Sequence, residues 1–281
     1  MILLENDQLI INIIEPDKEY HLLSSRYCHG GYIWQVEDKR LGPVFSGPSY
    51  PQNPDPFDGQ GAPEAFETAP GYFPSQSGDT VLVVGVGEVI KTSSRELFHP
   101  RWNSVIKKRS DWEIKTSGSF LQMICSQRFK GYGLVITRDI ILDNRSVHSS
   151  TTITNSGDNP LPIRWFAHPF FPHNKDMSCC ILSCPVTIPE NPGFFLKNNQ
   201  IFMKKEYDWE KGCYRALGIP WGSSLFADFS HPFLERILLK CSFNPVWLPI
   251  WANTHTFSLE PFFSKVITPG STEKWSICYQ F

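Results

Sequence analysis

The run Val147-His148-Ser149-Ser150-Thr151-Thr152-Ile153-Thr154 is dominated by residues branched or polar at Cβ, which crowd a helix and fit a pleated strand. Runs of the same character recur over residues 9–14, 32–36, 80–87 and 134–142, punctuated by Gly, Pro, Asn and Asp. Nowhere do apolar residues fall at i, i+3, i+4 and i+7 between helix caps. Many strands, few helices and frequent turns predict an all-β chain folded as a large antiparallel sandwich or barrel. Asp143-Asn144-Arg145 reads as a hairpin turn, and residues 80–87 as one buried strand ended by glycines. The 281 residues show no repeat and no linker, so a single domain over 1–281 is expected.

A net charge of -2 removes the electrostatic basis for a nucleic-acid surface or a polybasic membrane patch. The first residues lack a basic n-region, and no apolar run approaches the ~18 residues of a membrane span, so a cytoplasmic protein is expected. The 8 cysteines include the group Cys179, Cys180 and Cys184, near His168 and His173. That spacing matches no zinc pattern, and buried free thiols, with no metal and no cofactor, are the expectation.

Residues 42–78 form the longest irregular stretch, carrying Pro43, Pro48, Pro51, Pro54, Pro56, Pro63, Pro70 and Pro74. Its aromatics (Phe45, Tyr50, Phe57, Phe66, Tyr72 and Phe73) predict an ordered loop laid over the sheet, as a pocket wall or as plain surface packing.

Two residues stand out against their neighbours. Glu260 lies in Phe257-Ser258-Leu259-Glu260-Pro261-Phe262-Phe263, and His168 in Trp165-Phe166-Ala167-His168-Pro169-Phe170-Phe171. Pro261 suits an edge strand or a strand end, and Pro169 biases His168 to extended geometry. A carboxylate in an apolar pocket has its pKa raised towards that of an effective base, and histidine titrates near neutrality. Each residue could also be structural. A buried neutral histidine and an exposed edge carboxylate are the plain alternatives.

These segments carry a resemblance. Gly85-Val86-Gly87-Glu88-Val89-Ile90-Lys91, the two segments around His168 and Glu260, Gly61-Ala62-Pro63-Glu64-Ala65-Phe66, and the closing Pro269-Gly270 to Trp275 and Tyr279 together resemble the galactose mutarotase-like (aldose 1-epimerase-related) superfamily. The resemblance implies a β-supersandwich and interconversion of the α and β anomers of an aldose. It implies Glu260 as the base at the anomeric hydroxyl and His168 as the acid at the ring oxygen. The two would line one pocket, separated by about the width of a sugar ring. Substrate-binding candidates are His99, Arg95, Asp228, Trp251 and Glu64, with His29 and Arg26 also weighed. His29-Gly30-Gly31 is similar to a family tripeptide but comes too early in the chain, and reads as a strand-entry turn. The expected partner is a small-molecule sugar. A non-catalytic carbohydrate-binding module and a sugar-phosphate mutarotase are the alternatives. The acidic loop residues Asp55, Asp58, Glu64 and Glu67, with no Lys or Arg between Arg40 and Lys91, point to an uncharged sugar.

Overall fold

A computed structural model describes residues 1–73, 75–95 and 97–281; Pro74 of the long loop lies outside the described residues. Every strand pairing among the described residues is antiparallel. The only helical segments among the described residues are three short 3-10 turns. A ten-stranded sheet forms the floor of the molecule, and at its centre Ser146–Asn155 pairs with Tyr132–Asp143 on one side and Thr272–Gln280 on the other. Along Ser146–Asn155 buried and part-exposed residues alternate strictly, as the sequence pattern requires of a strand with one face on the core. The hairpin turn expected near residue 144 is present, with Asn144 at φ 51.

Smaller sheets cover this floor. Glu64–Phe66, Leu161–Ala167 and Phe262–Ile267 form a three-stranded sheet, and Phe171–Pro172, Thr256–Leu259, Leu248–Ala252 and Cys213–Leu217 a four-stranded one. Trp165 and Trp275 are buried where the layers meet, with ring centroids 5.6 Å apart. One strand expectation is corrected. Residues 80–87 are not a single strand but a hairpin of Thr80–Val83 and Gly87–Ile90, turned at Gly85 with φ 75. Gly85 supplies the left-handed backbone that a branched residue resists, so the apolar run folds back on itself. The 8 cysteines are free, and Cys179 and Cys180 sit buried in Ser178–Leu182. No helix among the described residues is long and apolar enough to cross a membrane.

One buried ion pair ties the floor to the upper sheet. Glu64 lies 2.5 Å from Arg138 and accepts hydrogen bonds from Trp165 Nε1 at 3.0 Å and Ser149 Oγ at 2.6 Å. Arg138 also donates to Gly30 O, Ser149 Oγ and Thr151 Oγ1. Both charges are almost fully buried, so deleting one strands the other in low dielectric. Glu64→Ala is therefore expected to destabilise the fold by about 3–5 kcal/mol in a denaturant titration. A loss below ~1 kcal/mol would contradict this reading of the network.

Candidate active site

His168 and Glu260 stand at the same structural seam. The chain leaves the three-stranded sheet after Ala167 and joins the four-stranded sheet at Phe171. In the opposite direction it leaves the four-stranded sheet after Leu259 and joins the three-stranded sheet at Phe262. Pro169 and Pro261 sit in these two crossings. Proline has no N–H to give a ladder, which favours a break in pairing there. The backbone is held by other partners. His168 N donates to Pro63 O at 2.8 Å, Phe170 N to Gly61 O at 2.8 Å, and Glu260 N to Pro249 O at 2.9 Å. Two segments about ninety residues apart are thus locked side by side.

His168 Nε2 lies 3.2 Å from Glu260 Oε1. The pocket they share has a volume of about 270 Å3. Their meeting in one pocket matches the expectation, but the separation does not. The side chains touch, with no sugar width between them, because both seams change sheet at the same level. Both residues are buried, at 3% and 4% exposure. Phe170 lies 4.5 Å from the imidazole, centroid to centroid, and Tyr27 and Trp251 present ring faces or edges at 6.1 and 6.0 Å. This apolar box sets the proton distribution. Burial raises the Glu260 carboxyl to about 8, opposed by the charge of Arg26. Burial lowers His168 well below 6.5, and the Arg26 charge lowers it further. Near neutrality the pair therefore holds one proton between its two members. His168 Nδ1 is buried without a hydrogen-bond partner among the described residues, so nothing behind the ring fixes the tautomer.

The other candidates divide. Trp251 and His99 line the pocket with the pair. His99 precedes the 3-10 turn Pro100–Trp102, and its Nδ1 accepts from Arg101 N at 3.2 Å. Three candidates fall elsewhere. Glu64 is consumed by Arg138 and Trp165 as described. Asp228 sits on Phe226–Phe229 of the ten-stranded sheet, 3.4 Å from Arg236. Arg95 stacks over the Trp102 ring at 4.6 Å and does not line the pocket. His29 is likewise structural, buried with Nε2 bonded to Ser24 O at 2.9 Å.

Several further residues line the pocket. Arg26 reaches in with its Nη1 donating to Phe57 O at 3.2 Å, and Arg101 enters from the 3-10 turn. Phe57 and Glu67 come from the long loop, which therefore does wall the pocket. Glu67 is ion-paired to Arg164 at 2.8 Å. Tyr214 stands across from Trp251 on the neighbouring strand. No local sequence pattern marks any of them.

No protein-family model matches the sequence, and no curated protein matches it. Several solved structures are similar in fold. A galactose mutarotase related enzyme from Lactobacillus acidophilus superposes with a TM-score of 0.65 at 11% identity, over 99% of this chain and 96% of that one. A galactose mutarotase-like protein from Lactobacillus casei gives 0.59 at 15% identity, over 100% and 99%. Another from Clostridium acetobutylicum gives 0.57 at 11% identity, over 99% and 93%. With antiparallel sheets throughout the described residues and superposition over nearly the whole of both chains, the chain has the galactose mutarotase-like fold.

Proposed function

We propose that this protein is an aldose 1-epimerase, with Glu260 and His168 exchanging protons at the anomeric centre of a bound sugar. The observation that carries the reading is the 3.2 Å contact between a carboxyl raised by burial and an imidazole lowered by it, inside one pocket. Ring opening takes a proton from the anomeric hydroxyl and gives one to the ring oxygen. These two oxygens are bonded to the same carbon, so an acid and a base placed side by side can serve both. A single shared proton gives one donor and one acceptor. Passage of the shared proton from Glu260 to His168 Nε2 across their 3.2 Å contact leaves an ionised Glu260, which takes the hydroxyl proton while the imidazolium Nε2–H protonates the ring oxygen. The C1–O5 bond breaks as the C1 carbonyl forms. After rotation about C1–C2, the same transfers in reverse close the ring on the other face. Trp251 and Phe166 offer apolar faces to the C–H side of a pyranose.

Polarimetry of freshly dissolved α-aldoses tests the reading, with relaxation to the equilibrium rotation expected to speed up in proportion to protein concentration. A rate unchanged from buffer, for neutral and charged aldoses alike, would remove the proposal and favour a sugar-binding module. The pH profile adds a second check. Catalysis needs the one-proton state, so activity is expected to be flat around neutrality and to fall on the alkaline side near pH 8, where that proton is lost. The acid limb belongs below 6.5, where a second proton enters.

A further inference from the structure

Resting on the mutarotase reading, we propose that the sugar this pocket accepts carries an anionic group, a phosphate or a carboxylate, held at the pocket rim by Arg26, Arg101 and His99. Arg138, Arg145, Arg164 and Arg236 all have carboxylate partners. Among the described residues neither Arg26 nor Arg101 has one, yet both line the pocket beside the Glu260–His168 pair. Their guanidinium carbons lie 5.0 and 4.9 Å from the centroid of the same Phe57 ring. Two cations gathered around one ring repel each other, and an anion bound between them offsets that repulsion.

His99 completes a donor-only rim. Its Nδ1 accepts the Arg101 amide, so in the neutral ring the proton sits on Nε2, which is then a donor. Burial and the surrounding arginines keep that ring neutral by lowering its pKa. The acids that line the same pocket do not cancel the rim. Glu67 is neutralised by Arg164, and Glu260 shares its proton with His168. Asp58 and Glu210 line only a neighbouring cavity, which shares Arg26, Arg101, His168 and Trp251 as walls. Guanidinium forks match phosphate and carboxylate oxygens bidentately. The uncharged sugar expected from the acidic loop is thereby revised, because the cations reach the pocket from outside that loop.

The test compares α/β exchange of glucose, glucose 6-phosphate and glucuronate by wild type and Arg101→Gln, alongside calorimetric titration of the same three compounds. Arg101 is solvent-exposed, so its replacement leaves the core intact. The proposal expects kcat/KM for at least one anionic sugar to exceed that for glucose at least tenfold, and Arg101→Gln to cut this preference about 10- to 100-fold. Which anionic sugar is preferred identifies the group. Glucose turned over as well as both anionic sugars overturns the rim and leaves the mutarotase reading standing. If no sugar is turned over, the mutarotase reading fails and binding decides the rim. Tighter binding of an anionic sugar, weakened tenfold by Arg101→Gln, upholds it; failure of both anionic sugars to bind better than glucose overturns it.

Discussion

Glu260→Gln is expected to lower anomerisation by about 10²–10⁴-fold, the range a single positioned proton-transfer group contributes. Gln matches the shape of Glu and can still donate to His168 Nε2, so the contact at 3.2 Å has a neutral replacement. What it cannot do is accept the anomeric proton. His168→Gln removes the other half and is expected to cost a similar factor. The double variant should lose little beyond either single change, because the two groups act as one unit. Polarimetry with each variant at matched concentration measures this. Full activity in Glu260→Gln would mean that the carboxyl is not the base.

The same substitution is expected to change stability with the opposite sign. The Glu260 carboxyl passes from 4.5 in the unfolded chain to about 8 in the buried site. Below pH 4.5 both states are protonated and the fold pays nothing for the group. Between 4.5 and 8 the unfolded chain ionises while the native state keeps its proton, so stability falls as pH rises. At about 1.4 kcal/mol per pKa unit, the loss amounts to about 5 kcal/mol by pH 8. Gln does not titrate and escapes this loss. Glu260→Gln is therefore expected to melt above the wild type at pH 8, with the difference shrinking towards pH 4.5. Depression of His168 acts on the acid side of 6.5 in both proteins and does not produce the alkaline difference. Equal melting temperatures at pH 8 would mean that the site is not as dry as its burial indicates. The two results together would describe a group kept for chemistry at the expense of the fold.

What could be read in advance follows physical locality. Strand alternation is a period of two and is written into neighbouring residues, so Ser146–Asn155 and Tyr132–Asp143 were predictable as a hairpin. Pro169 and Pro261 mark breaks in pairing, and the mismatch of Glu260 and His168 with their apolar neighbours marks a candidate site. These features survive without knowledge of the fold. The rim does not. Arg26 in Ser-Ser-Arg-Tyr and Arg101 in His-Pro-Arg-Trp look like ordinary surface cations until the fold brings them to one ring. Glu64 fails for the converse reason. Its partners Arg138, Ser149 and Trp165 lie on strands far along the chain, so nothing local showed that its charge was already taken. Asp228, a substrate-binding candidate, lies on the ten-stranded sheet beside Arg236 and outside the pocket, because the order of strands in that sheet is a non-local property.

Exchange between anomers at chemical equilibrium, followed by two-dimensional NMR of the anomeric protons, tests the shared-proton pair most directly, since no net reaction and no coupled enzyme intervene. Wild-type protein at neutral pH is predicted to produce exchange cross-peaks between the α and β signals of an aldose, and Glu260→Gln at the same concentration to abolish them. Cross-peaks that persist undiminished in Glu260→Gln, or that never arise with the wild type for any neutral or anionic aldose, would contradict it.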